Sequence, residues 1–572
     1  MKSFTLSRQL RPIFTMAAVA SMALVACSPS EQDPIQATLD RGMVVSTSTF
    51  ASDAGAEVLR NGGNAVDAAI ATGFALAVTS PSNGNIGGGG FMIIRFPDGT
   101  STALDFREKA PLASFPEMWL DENGEYDRNQ HHRGALSVGV PGTVAGFALA
   151  HEKYGTGDWS AVVEPAVKLA TEGWTLPEGL ARSLNSRATS ENALPGVVAG
   201  YSKDGVPWEA GETITLPILG RTLAKIRDEG RDGFYRGEIA QLIVDEMGRG
   251  NGIITLEDLE IYRAIEREPI RGTFRDYDIM SMPPPSSGGI IIVEMLNIVE
   301  GFDLKAMGHY SAEYLHHTTE AARRAYRDRA VAIADTDFFP VPVARLTSKE
   351  YAAELRQTID SHQASVSAPE DILDFKESDE TTHYSVVDKN GMAVSVTYTL
   401  EGGYGSGIVV EGGGFFLNNE MGDFNAGPGI TTATGLIGTD ANLARPEQRM
   451  LSSMSPTIIA KDGQLVAVIG SPGGRTIINT VFHLALSIME FEMDIESAVA
   501  AKRSNHQWLP DQMSVEAGTP EEVVAQLEAM GHTVRVGRGQ GSAHSIGVTS
   551  DGHVVGVPDP RSGVTAGASP GG

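Results

Sequence analysis

The two runs flanking Asn390-Gly391 constrain this chain more than any other feature. One reads Thr382-His383-Tyr384-Ser385-Val386-Val387 and the other Ala393-Val394-Ser395-Val396-Thr397-Tyr398. Both are rich in β-branched and aromatic residues, which suit a pleated, buried surface. Asn-Gly tolerates the positive φ that a tight hairpin turn requires. Folding there predicts that Thr381 and Thr399 meet at the open end of the hairpin. A hydroxyl held beside a second hydroxyl at the start of a strand has the form of a nucleophile with its orienting partner.

The same counting applies to two other turns. A turn at Asp98-Gly99 sets Arg107 opposite the end of the glycine run Gly87 to Gly90. A turn at Asp462-Gly463 sets Ser452-Ser453 opposite Pro472-Gly473. A fourth hairpin turn is expected at Asp551-Gly552. The polar or glycine residues thus collect at one end of a sheet. There Arg107 offers a planar fork for a carboxylate. Glu420 and Asp423 offer negative charge for an ammonium, and bare N–H groups at Gly473-Gly474 offer an oxyanion hole, worth about 3–4 kcal/mol per donor. An arginine facing an acidic pair fits a free amino-acid head group. Taken singly, each residue has an ordinary structural explanation, and only the joint arrangement carries the chemistry.

Elsewhere the pattern is helical. Ser52 is expected to cap a first helical stretch, interrupted at Gly62-Gly63, and Pro81 to Gly90 is read as a glycine-rich loop. The middle, from about Trp159 to Ala364, is read as mostly helical. The charged helix around Tyr314 to Ala332, with Glu320, Arg323, Arg324, Arg327, Asp328 and Arg329, is read as a solvated or ion-paired face. Strands at both ends with helices between them predict an α+β layered fold whose sheet draws on two separate stretches of chain.

Charge and cysteine content narrow the class. The formal charge of -28 opposes binding to a phosphate backbone, so a nucleic-acid partner is not expected. Lys2, Arg8 and Arg11 precede an apolar stretch from Ile13 to Ala26, and the single cysteine follows it in Leu24-Val25-Ala26-Cys27. This reads as a secretory signal over residues 1–26 ending in a lipobox, with lipidation at Cys27 and a polar tether over 27–40; an ordinary cleaved signal with a chance cysteine is the alternative. No later stretch reaches the roughly 20 apolar residues of a span. The expected location is the periplasm, with membrane contact only through the lipid; Ser28 favours the outer membrane of a Gram-negative bacterium. No phosphate-loop motif is present. His131-His132 and His316-His317 lack zinc-ligand spacing, and the G-x-S-x-G at Gly567 to Gly571 is read as chance at a frayed terminus.

The run Thr381 to Asp388 resembles the catalytic signature of the γ-glutamyltransferases. The likeness continues through Gly62 to Ala69, Gly87 to Phe91, Leu104 to Glu108, Pro283 to Gly289, Leu417 to Met421, Leu451 to Pro456 and Gly470 to Gly474. It implies an N-terminal-nucleophile hydrolase fold, a four-layer αββα sandwich, and self-cleavage between Glu380 and Thr381. A large subunit (41–380) and a small catalytic subunit (381–572) would then form one heterodimeric folded unit.

By the same resemblance, the freed Thr381 amine is the general base for its own hydroxyl, and Thr399 orients that hydroxyl. Arg107, assisted by Ser452 and Ser453, holds the α-carboxylate of a γ-glutamyl group. Glu420 and Asp423 hold its ammonium, and Gly473 and Gly474 stabilise the oxyanion. The implied substrates are γ-glutamyl compounds such as glutathione, with water, amino acids or peptides as acceptors and no metal or organic cofactor. Two positions depart from the family pattern. Glu401 stands where many members carry Asn and can still contact the ammonium. Thr434 stands where the lid loop, Ala426 to Gln448, is expected to carry an aromatic gate. The alternatives are a related cephalosporin or glutaryl-type acylase and a non-catalytic exported binding lipoprotein.

Overall fold

The computed structural model describes Met1 and residues 35–189, 194–203, 205–367, 381–430, 439–562 and 567–571. Cys27, Glu380 and Thr434 lie outside the described residues. The strands that build the two large sheets are, in chain order, β1 (Ile35–Thr38), β2 (Met43–Ser46), β3 (Gly89–Arg95), β4 (Ser101–Phe106), β5 (Ile265–Arg267), β6 (Ile270–Phe274), β7 (Tyr277–Ser281), β8 (Thr382–Val387), β9 (Ala393–Thr399), β10 (Thr457–Lys461), β11 (Gln464–Ile469), β12 (Ser545–Val548), β13 (His553–Val557) and β14 (Gly567–Pro570). One seven-stranded sheet runs β1-β13-β12-β11-β10-β7-β6, and the other β14-β2-β8-β9-β3-β4-β5. Every pairing within them is antiparallel. Helices cover the outer faces, giving the αββα layering.

Side-chain alternation assigns each strand residue to a layer. In the second sheet Val44, Met92, Ile94 and Leu104 join one apolar core with α1 (Thr49–Arg60) and α2 (Ala65–Thr79). Their neighbours Val45, Phe91, Ile93 and Ala103 point into the other core, shared with the first sheet and with α3 (Gly288–Val299), α4 (Ala312–Ala332) and α5 (Thr476–Met489). Every residue of α2 is buried, as expected of an apolar helix covered on all sides. Its start is fixed by a reciprocal cap: Asn64 Oδ1 accepts from the Val66 and Asp67 N–H groups, and Asp67 accepts from the Asn64 N–H.

The central hairpin is polar where the two sheets face. His383 bonds to Thr397 and Ser385, while Ser385 donates to the His544 carbonyl at 2.9 Å and Ser395 donates to the Ile469 carbonyl at 3.0 Å. These bonds satisfy buried hydroxyls and tie the hairpin to the opposite sheet.

Several expectations change. Ser48, not Ser52, sits at the start of α1; Ser52 lies inside it and donates to the Gly567 carbonyl at 2.7 Å. That contact belongs to β14, so the C-terminal glycine-serine segment is an ordered edge strand beside β2 rather than a frayed end. Residues 35–38, expected within the tether, pair with β13 and satisfy its otherwise open edge. The mostly helical middle contains β5, β6 and β7, whose short alternating runs lie among helices in the sequence. A bulge between Ile459 and Ala460 shifts the β10–β11 register, and Ser452 lies outside that hairpin, bridged to Ser286.

Candidate active site

Strand register gathers the predicted residues. Thr382 pairs with Tyr398, so Thr381 precedes the first pair and faces Thr399 across the hairpin mouth. Thr399 pairs in turn with Gly89, and Gly90 with Phe106, which puts Arg107 at the same end. The first sheet contributes the loops before β10 and after β11. One cavity is lined by Thr381, Thr399, Arg107, Glu401, Glu420, Asp423, Ser452, Ser453 and Gly474.

The threonines are held by their backbones. Asn83 Nδ2 donates to the Thr381 carbonyl at 3.1 Å, and Asn85 Nδ2 donates to the Thr399 carbonyl at 2.9 Å. Asn85 is fixed by the Thr143 hydroxyl at 2.7 Å and the Gly88 N–H at 2.9 Å. The Thr399 hydroxyl accepts from the Glu401 N–H at 2.8 Å, which leaves its own proton to donate elsewhere. The sequence reading missed Asn83 and Asn85, taking this segment only as a glycine-rich loop.

Arg107 is fully buried and ion-paired to Glu420 and Asp423, with Glu108 at 3.6 Å. Its guanidinium also reaches the Leu451 carbonyl at 3.3 Å. Burial pulls its pKa down, but the three carboxylates outweigh that and hold it above the ordinary arginine range. Burial lifts Glu420 well above the usual carboxylate range and Glu108 to about 8, in both cases against the pull of Arg107. Glu401, Glu420 and Asp423 thus line the cavity with Arg107, and their carboxyl oxygens can accept hydrogen bonds from an incoming ammonium. Glu401, at a positive φ of 75°, turns towards the same group and contacts the Asn419 amide.

Ser452 and Ser453 follow Leu451 in the wall beside Arg107 and are backed by the loop that carries Ser286 and Ser287. Ser287 donates through its N–H and its hydroxyl to the Ser452 carbonyl, at 2.8 and 2.7 Å. Arg329 donates to the hydroxyls of Ser287 and Ser453, both at 2.9 Å, and lines the cavity. It is therefore part of the site wall and not of a solvated face. The signal was present: Leu315, Thr319, Ala322, Tyr326 and Arg329 form an i, i+4, i+3 stripe, and all five are buried. Arg475, also unpredicted, lines the cavity beside Gly474.

Gly473 and Gly474 take φ values of 129° and 53°, accessible to glycine with little strain, and lead into α5. Gly474 borders the cavity just described, whereas Gly473 borders a second cavity that also reaches Thr381. The histidine pairs are internally bonded: His131 to Tyr126 and the Met421 carbonyl, His316 to His532 and the Asp360 carbonyl. Among the described residues no cluster has the makings of a metal site, and no helix is long and apolar enough to cross a membrane.

Known proteins share this arrangement of chain. The family model for gamma-glutamyltranspeptidase matches residues 51–569. A glutathione hydrolase proenzyme of Escherichia coli is 46% identical over 530 residues, covering 91% of this chain and 90% of that one. A solved cephalosporin acylase from Bacillus halodurans superposes with a TM-score of 0.84 at 26% identity, covering 96% of this chain and 99% of that one. A solved gamma-glutamyltranspeptidase chain from Helicobacter pylori is 42% identical with a TM-score of 0.53, covering 55% of this chain and 91% of that one. The order of its motifs, its two-sheet fold and these likenesses lead to one conclusion: the chain belongs to the gamma-glutamyltranspeptidase family.

Proposed function

We propose that Thr381 is the nucleophile of an autoprocessing γ-glutamyltransferase and glutathione hydrolase. The observation that carries this reading is the position of Thr381, directly before a central strand and in one cavity with Thr399, Arg107, Glu420 and Asp423. In the precursor, its hydroxyl attacks the Glu380 carbonyl and the C–N bond breaks as the acyl group shifts to oxygen, which frees the Thr381 amine; water then hydrolyses the ester to release the Glu380 carboxylate and the Thr381 hydroxyl. That amine, with an ordinary pKa of about 7.7–8.0, then accepts the hydroxyl proton during attack on a substrate amide. Thr399 donates to the Thr381 oxygen, and Gly473 and Gly474 donate N–H groups to the tetrahedral oxyanion.

Collapse of that intermediate breaks the C–N bond, the leaving amine takes up the proton, and a γ-glutamyl ester remains on Thr381. Water gives free glutamate. An amino acid or peptide amine forms a new C–N bond, and the threonine oxygen regains its proton. Arg107, Ser452 and Ser453 bind the α-carboxylate of the γ-glutamyl group, and Glu401, Glu420 and Asp423 bind its ammonium. The two fragments stay together as a heterodimer because each contributes strands to both sheets.

The likeness to a cephalosporin acylase favours a second reading, cleavage of glutaryl-type amides. The wall of Glu401, Glu420 and Asp423 argues against it, since a glutaryl group brings no ammonium to donate to those oxygens. Faster cleavage of a glutaryl amide than of a γ-glutamyl anilide would establish the acylase instead. The basic, apolar N-terminus and Cys27 support export to the periplasm and a lipid anchor in the outer membrane. Denaturing electrophoresis with N-terminal sequencing tests the mechanism. The parent chain is expected as two fragments, the smaller beginning at Thr381, and Thr381→Ala as one; an uncut parent or a cut variant would refute it.

A further inference from the structure

Thr381 is also part of the wall of a larger cavity, of about 630 Å³, whose lining includes Gly473 but not Arg107. Five arginines line it, Arg182, Arg187, Arg535, Arg538 and Arg561, and among the described residues no carboxylate does. This is unexpected in a chain of formal charge -28. Arg561 is engaged by Glu516 at 2.9 Å and Asp559 at 3.4 Å, and Arg182 by Glu178 at 2.7 Å. Arg187, Arg535 and Arg538 make no ion pair or side-chain hydrogen bond with the described residues.

The two cavities meet at the nucleophile, so they divide a substrate at its scissile bond. If the γ-glutamyl head group occupies the small cavity, the amine half leaves from, and the acceptor enters through, the arginine-lined one. Guanidinium forks match carboxylates in geometry and sign. Resting on the catalytic reading above, we infer that this cavity selects amines carrying an extra carboxylate: acidic amino acids and acidic peptides. Arg187, Arg535 and Arg538 supply the attraction. Arg187 is half-buried and Arg535 and Arg538 are exposed, so the selection is moderate and sensitive to salt.

The test uses the processed enzyme with a γ-glutamyl anilide donor and two acceptors, glycyl-glutamate and glycyl-glutamine, isosteric apart from one charge. At low salt the glutamate peptide is expected to have a kcat/KM about three- to tenfold higher. The preference should collapse in the R535Q/R538Q double variant and near 1 M salt, where the Debye length is about 3 Å. R535K/R538K keeps the charge and should retain most of the preference, which separates recognition from a folding defect. Equal rates for the two acceptors, or a preference that survives R535Q/R538Q, would overturn the inference. So would a double variant that alters only the rate of self-cleavage, since the arginines would then serve the acidic residues preceding Thr381. Failure of the parent enzyme to transfer to either acceptor would instead count against the transferase reading itself.

Discussion

The two cavities that meet at Thr381 use arginine in opposite ways. In the smaller one, Arg107 is buried and clasped by Glu420 and Asp423, with Glu108 beside it. In the larger one, Arg187, Arg535 and Arg538 stand without a paired carboxylate among the described residues. A buried, fully engaged guanidinium fixes one geometry, because any change leaves a desolvated charge unsatisfied. An exposed one gives attraction without a fixed pose, because water replaces whatever is lost. The comparison suggests strict recognition on the acyl side of the scissile bond and graded recognition on the amine side.

The largest expected effect falls on the residue both cavities share. Thr381→Ala should remain one chain and lose turnover by about 10⁴-fold or more, as removal of a nucleophile does elsewhere. Next comes Arg107→Lys, which retains charge but not the fork. A fall in kcat/KM of about 10²–10³ is expected, equivalent to about 3–4 kcal/mol, for loss of the buried fork. The same exchange at Arg535 should change it by no more than a few-fold. Equal effects at the two positions would break the contrast between the cavities.

Arg329→Gln tests the serine wall beside Arg107. Loss of charged donors to Ser287 and Ser453 should raise KM by about tenfold while kcat moves less, as expected when a ground-state contact is weakened. The smallest effect concerns pH and stability. Burial raises Glu108 from its ordinary 4.5 to about 8, so the folded protein holds that proton more tightly than the unfolded chain. Its stabilising contribution is therefore complete below about pH 4.5 and is lost as pH rises to about 8. Glu108→Gln cannot ionise, and its Tm should decline less across that window than the parent's. Parallel declines would show that Arg107 keeps Glu108 ionised throughout.

The legible part of the site was the part written in local pattern. Asn390-Gly391 and Asp98-Gly99 fixed two hairpins, and counting outward brought Thr381, Thr399 and Arg107 to one end. The illegible part depended on long separations. Asn83 and Asn85 act by donating to backbone carbonyls 298 and 314 residues away, and nothing in an Asn-Gly-Asn loop announces such partners. Arg329 was misread because charge density outweighed a buried stripe one helical turn apart. The strands β5, β6 and β7 were lost among helices, since runs this short carry little periodicity and gain their stability from neighbouring strands.

By itself, then, the sequence determined the elements and the chemistry available: hairpins set by turn residues, a layered α+β fold, and a threonine, an arginine and acidic residues at strand ends. Those properties follow from interactions between near neighbours, whose spacing a sequence displays directly. Only the tertiary structure decided which charges are buried together, which are left open, and on which side of Thr381 each group lies. Burial and pairing depend on the packing of two sheets whose strands come from both ends of the chain, and that packing sets the electrostatics of the two cavities.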